Sequence, residues 1–276
     1  MFVSSVALYL VARKAALMRK PVQFTNLAMF AVPLVVFCIA DGIVRPAFNL
    51  SWREALLLVV AGVVLSYASN WISLKSIELA PNPGYSLVIS KSYVVFTTIL
   101  AVPLFGAALS WRAVVAILAI VVSAGLVMVD PSAKHRGSGR GWLVMSVGAF
   151  FGWGLLSLVA KYLFTQGVPN LVFLTGLFAV ATACIVVEIS SKRLNTSSIS
   201  SNKWLFLSVG LLAASFNFFS FLAISMGPNV GYVNATNAAS IGLVTIFSIL
   251  LYGDEFSWRK VIGVAGVIGG LVLLLV

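Results

Sequence analysis

Titratable side chains are what this sequence has least of. Seven Asp and Glu and one His serve 276 residues, and charged residues of all kinds make up 9%. A soluble domain carries roughly 25% charge, so most of this chain is built for a solvent other than water. The single histidine, His135, and the two cysteines, Cys38 and Cys184, supply no His- or Cys-based metal set, disulfide framework or acid–base pair. Both cysteines fall in apolar runs at positions that do not correspond in the repeat described below, and read as buried free thiols. No phosphate-cradling nucleotide loop is present, so any motion is driven by gradients or is passive. No cofactor and no metal are expected.

Apolar residues are abundant instead. They make up 61% of the chain, and the mean hydropathy is +1.08. Uncharged runs cover 21–40, 55–74, 92–111, 141–160 and 162–187, each meeting the ~20 residues needed for a ~30 Å hydrocarbon core. A run over 204–253 is too long for one helix and is broken at Gly227-Pro228-Asn229. The net charge of +11 lies in small groups between spans, such as Arg13, Lys14, Arg19 and Lys20. That is the distribution of membrane-flanking charge, with no basic face interleaved with aromatics, which excludes nucleic acid as a partner. The expected partner is the lipid bilayer.

Residues 70–129 and 217–276 are one segment written twice. A displacement of 147 without a gap aligns 60 pairs with 17 identities, among them Asn70 with Asn217, Pro81-Asn82 with Pro228-Asn229, Gly84-Tyr85 with Gly231-Tyr232, and Ser110-Trp111-Arg112 with Ser257-Trp258-Arg259. Hydrophobic composition alone would not match Asn, Pro, Trp and Arg. At a displacement of 148 the duplication extends upstream, matching Pro21 with Pro169 and Phe30-Ala31-Val32 with Phe178-Ala179-Val180. The spans read as ten helices, near 1–18, 22–42, 54–79, 84–107, 111–130, 141–165, 169–190, 203–226, 231–252 and 257–276. Five helices per half is an odd number, so the second copy must be upside down. The expected fold is therefore all-α and transmembrane: two inverted five-helix repeats, 1–132 and 139–276, around a central cavity. A duplicated bundle of this kind points to a transporter.

Only twelve residues precede Arg13, whereas the matching sixth helix starts about ten residues earlier relative to its counterpart, Lys161. The first helix reads as truncated, with a start upstream of Met1. Loops on one side hold 12 Lys and Arg against 4 on the other, and the positive-inside rule then places both termini outside.

Ten helices in two inverted fives, the turn Gly253-Asp254-Glu255-Phe256-Ser257-Trp258, and a last helix carrying Gly263, Gly266, Gly269 and Gly270 resemble the drug/metabolite transporter superfamily, EamA type. The resemblance covers nearly the whole chain. It implies carriage of small metabolites, amino acids or drugs, often outward, through a cavity lined by both halves, with cytoplasmic termini. The chain departs from the pattern at Ala108, where the second half has Glu255. The proline that members of that family often carry inside the fourth and ninth helices is also missing, and Tyr93 and Ser240 stand near those positions.

Polar groups inside a hydrocarbon slab are costly, so each is a functional candidate. Lys91 lies about seven residues, or roughly 10 Å, into the fourth helix, beside Ser90, Ser92 and Tyr93. It reads either as a cavity cation for an anionic group or a proton, or as a lysine snorkelling to the headgroups. Asn234 and Asn237, the counterparts of Leu87 and Ser90, line one face of the ninth helix with i, i+3 spacing. They would contact substrate or bond neighbouring helices. Asn70 and Asn217 hold equivalent places, with Ser66, Tyr67 and Ser73 near the first. Lys75 and Glu78 are spaced to pair or to act as a gate or ion site. Asp254 and Glu255 suit the positive end of the last helix, and Gly266-x-x-x-Gly270 suits close helix packing. The function expected is a multi-pass transporter in the cell membrane, monomeric or homodimeric, moving a small metabolite or drug-like solute by alternating access as an exporter or exchanger. A non-transporting scaffold or receptor is the alternative. An intramembrane enzyme would have to rest on Ser or Lys alone.

Overall fold

The computed structural model describes residues 1–18, 21–47, 50–79, 83–129, 141–194, 201–253 and 257–275. Among them the chain is helical, with no strand. The helices are α1 (Phe2–Leu17), α2 (Val22–Val44), α3 (Trp52–Val60), α4 (Ser69–Leu79), α5 (Pro83–Lys91), α6 (Tyr93–Phe105), α7 (Trp111–Met128), α8 (Gly141–Thr165), α9 (Asn170–Ser191), α10 (Lys203–Met226), α11 (Val230–Tyr252) and α12 (Trp258–Leu275). A π-helical stretch, Ala61–Ala68, joins α3 to α4. Seven helical stretches of the described residues are long and apolar enough to cross a membrane, including Trp52–Ile77 and Ser86–Phe105. The protein is an integral, multi-pass, all-helical membrane protein. The Pro81-Asn82 pair, the 130–140 connector with His135, residues 195–200 of the 190–202 loop, and Asp254 with Glu255 lie outside the described residues.

Local chemistry sets the helix ends. Ser51 and Glu54 form a reciprocal capping box at the start of α3. Ser110 accepts from the Ala113 amide at 3.1 Å to start α7, and Asn229 accepts from the Gly231 amide at 2.8 Å to start α11. Gly106 and Gly253, 147 positions apart, end α6 and α11 in the left-handed conformation, with φ of 63° and 67°. The fourth expected helix is interrupted. At Ser92 the side chain donates to the Val88 carbonyl at 2.7 Å, while its amide is shared between Val88 and Ile89. This competition of a hydroxyl with the backbone bends helices, and it ends α5 directly after Lys91.

The chain divides into two compact units, Met1–Tyr67 with Val159–Ser225, and Ala68–Leu158 with Met226–Val276. Each draws on both halves of the sequence. In the first unit α2 and α9 run antiparallel. Gln23 faces Glu188, Phe30 and Phe37 stack on Phe178 at 6.0 and 5.5 Å, and Asp41 meets Thr175. Phe30 and Phe178 are counterparts in the duplication, so the seam turns about equivalent residues. Phe173 is fully buried and packs on Phe164 and Phe221 at 5.2 and 5.0 Å. Backbones approach closely in places: a methyl group added at Gly210 would come within 2.7 Å of the Ala28 carbonyl oxygen.

In the second unit α7 and α12, also counterparts, run antiparallel. A Cβ at Gly263 would lie 2.8 Å from the Ser123 carbonyl oxygen, and one at Gly270 would lie 3.0 Å from that of Ala116. Under the 147-residue displacement Ala116 becomes Gly263 and Ser123 becomes Gly270, so the two contacts exchange. Residue i meeting j while j meets i is the mark of an isologous, two-fold contact. The expected close packing at Gly266 and Gly270 lies in this seam. Elsewhere in the unit α8 rests on α4 and α6 through Gly148, Gly152 and Gly154, which face Ile72, Ser69 and Phe96, and α11 meets α6 where Gly231 faces Thr98. Small residues permit such approaches in lipid, where no hydrophobic drive separates helices from solvent.

Candidate functional site

Lys91 is the last residue of α5, where a cation complements the negative end of a helix. The turn at Ser92 carries it beside α8, and its Nζ lies 4.5 Å from the centroid of the Trp153 ring. Tyr93, buried, stands edge-on to the same ring at 6.3 Å. The ring attracts the ammonium through its quadrupole, by about 0.5–2 kcal/mol depending on solvation, and brings no net negative charge. A half-buried lysine against an indole face can contact a carboxylate or phosphate. Trp153 and its partnership with Lys91 were not legible from spacing.

The neighbouring polar groups are mostly committed to helix packing. Ser90 is buried and donates to the Leu87 carbonyl of its own helix at 3.2 Å. Asn234 is buried and donates to Thr97 Oγ1 on α6 at 3.1 Å. Asn237 and Asn70 are half-buried, as is Lys75, while the side chain of Glu78 lies outside the described residues. A chain of buried hydroxyls that the sequence reading overlooked ties three helices together. Ser86 of α5 meets Ser76 of α4 at 2.5 Å and Ser146 of α8 at 3.0 Å.

Asn217 belongs to the first unit and donates to the Ala213 carbonyl of its own helix at 2.8 Å. There the polar centres are two acids absent from the sequence-based candidates. Glu188, in the last turn of α9, accepts from Tyr67 of the π-helical stretch at 3.0 Å, from Gln23 of α2 at 3.5 Å and from Lys192 at 2.6 Å. Asp41, in the last turn of α2, accepts from the Thr175 hydroxyl at Oδ2, while Oδ1 is buried and has no hydrogen-bond partner among the described residues. One signal could have found them: Ala40-Asp41 aligns with Glu188-Ile189 at the 148 displacement, placing an acid at nearly the same point of both copies. Lys161, the counterpart of Arg13, donates to the Ser225 carbonyl at 3.1 Å. Both cysteines are free, and Cys38 is exposed rather than buried.

Two clefts are lined by apolar residues. One, of about 450 Å³, lies between α2 and the start of α10 at Phe24, Ala31, Lys203 and Trp204. The other, of about 610 Å³, lies at Val88, Val122, Trp142 and Arg259. Lys91 and Asn234 line neither.

No protein-family model matches the chain. The chain is similar to an uncharacterized transporter of Archaeoglobus fulgidus, with 23% identity over 235 residues, 83% of this chain and 79% of that protein. Its fold is similar to that of a protein of known crystal structure, with a TM-score of 0.78 over 98% of this chain and 95% of that one, at 14% identity.

Proposed function

We propose that this chain is a secondary transporter of the drug/metabolite transporter superfamily, EamA type. Ten helices in two inverted five-helix repeats, 1–132 and 139–276, move a small metabolite or drug-like solute by alternating access, as exporter or exchanger, across the cell membrane. The observation that carries this reading is the antiparallel meeting of repeat counterparts. The α7–α12 contacts exchange under the displacement of the duplication, and α2 meets α9 about the counterparts Phe30 and Phe178. That is the geometry inverted repeats produce. The similarity to a transporter over most of both chains supports the same class.

Lys91 on the Trp153 face is the proposed contact for an anionic group of the solute, with Ser90, Tyr93, Asn234, Asn237, Asn70 and Asn217 as further contacts and Lys75 with Glu78 as a gate or ion-coupling pair. The test is uptake and efflux in proteoliposomes against a metabolite panel. Lys91→Ala is expected to cut transport of an anionic solute at least about tenfold, the loss of one charge-assisted hydrogen bond of ~1.5–3 kcal/mol. Unchanged transport of an identified solute would remove Lys91 from the site. A correctly inserted, folded protein that moves nothing on the panel would favour the scaffold or receptor reading.

A further inference from the structure

The cleft between α2 and the start of α10 lies wholly within the first unit and holds about 450 Å³. Its long wall runs along α2 from Phe24 to Val32, a distance of about 12 Å. On its inner side the two helices touch, and a methyl group at Gly210 would come within 2.7 Å of the Ala28 carbonyl oxygen. At its mouth stand Lys203 and Trp204, both exposed. Lys203 is the one charged residue that lines it among the described residues. Its Nζ lies 5.6 Å from the Trp204 ring centroid and makes no ion pair there. Lysine beside tryptophan at a helix start is the composition of a membrane–water interface. A wall of about 12 Å below that level stays within half of a ~30 Å hydrocarbon core, so the cleft belongs to one leaflet.

The charge at that end of the unit is one-sided. Phe24 follows Gln23, which meets Glu188, so the end of α9 shares a face with the starts of α2 and α10. Lys14, Lys192, Arg193 and Lys203 stand on it, and its described acid, Glu188, is already paired with Lys192 at 2.6 Å. At the opposite end Arg45, Arg53 and Lys161 are offset by Asp41 and Glu54. We infer that the cleft holds an acyl chain of an anionic phospholipid, whose headgroup phosphate sits on the Lys203 ammonium. The apolar wall takes the chain, Trp204 meets the ester level, and the surplus of basic residues selects a headgroup of net negative charge. A zwitterionic lipid would fill the same wall but bring its own cation to an already basic face. A transmembrane helix, from a partner or a second copy, would run through both leaflets, whereas the cleft ends within one. The lipid site does not depend on the transport reading.

The test is native mass spectrometry of the delipidated full chain in detergent, titrated with phosphatidylglycerol or with phosphatidylcholine of the same chains. The first phosphatidylglycerol is expected to bind at least about fivefold more tightly than the first phosphatidylcholine, the worth of roughly one basic contact. Lys203→Gln, at an exposed position, is expected to remove that preference. Arg193→Gln, on the same face but outside the cleft, is expected to change it less than about twofold. Ala31→Phe fills the apolar wall and is expected to weaken both lipids at least about tenfold, the loss of some two buried methylenes. Equal binding of the two lipids by the wild type overturns the inference. Equal losses from Lys203→Gln and Arg193→Gln also overturn it, since they would show a diffuse basic surface without a site. Unaltered lipid binding by a folded Ala31→Phe variant would take the chain out of the cleft. A lipid-free dimer that Ala31→Phe dissolves would put a second copy there instead. Every arm is read without a transported solute, so the lipid site and the carrier reading fail separately.

Discussion

Two seams join counterpart helices, and they are made differently. Between α7 and α12 the contact is Ala116, Ile120 and Ser123 against Gly263, Gly266 and Gly270, with methylene hydrogens facing carbonyl oxygens. Between α2 and α9 the contact is phenylalanine rings in the middle and a carboxylate at each end. The first seam carries no charged side chain. The second has rings in its middle and, at its two ends, acids that each accept a hydrogen bond from the neighbouring helix. Within one chain, one antiparallel pairing is a close join of backbones and the other a join of rings and carboxylates.

Four substitutions test that contrast, from the largest effect to the smallest. Gly270→Val drives a branched side chain into Ile120 and the Ala116 carbonyl and is expected to cost about 3 kcal/mol, at the upper end of overpacking penalties. Thermal unfolding in detergent measures it, and a cost under about 1 kcal/mol would mean that the seam opens freely. Glu188→Leu leaves the Tyr67 hydroxyl and the Gln23 amide without their acceptor and is expected to cost about 2 kcal/mol. Asp41→Leu, which strands only Thr175, should cost less, and the reverse order would break the asymmetry between the two ends. Gly269→Ala, with nothing within 4 Å of its added methyl, should gain about 0.5–1 kcal/mol from helix propensity. A loss there would show that α12 is crowded on that face as well.

What the sequence disclosed followed from how far each cause extends along the chain. The helix ends at Gly106 and Gly253 and the caps at Ser110 and Asn229 are local, lie within the duplication and could be read directly. The break at Ser92 could not, because any serine can turn its hydroxyl on its own backbone and few end a helix by doing so. Lys91 stood out as a charge within an apolar run, but its partner Trp153 comes from another helix 62 positions away. Asp41 and Glu188 escaped notice because acids near span ends resemble ordinary interfacial charge. Only the antiparallel pairing of α2 and α9 reveals that one has donors to spare and the other a bare oxygen. Asn234 and Ser90 were recognised as polar residues in a helix; whether such residues face a ligand or a neighbour is decided by packing, here Thr97 and the Leu87 carbonyl.

Under the proposed inverted-repeat reading, the exchanging glycine contacts of α7 and α12 bear on how such a chain could have arisen. A patch that fits its own image can hold two separate polypeptides as well as two parts of one. Before any fusion event, a single gene product inserted in both directions could have used it to dimerise. Evenly balanced lysine and arginine on its two faces would have been the condition for that mixed insertion, since the positive-inside rule fixes direction as soon as the balance tips. The basic bias now seen between loops would then be a later acquisition, after the linker had already settled which copy faces which way.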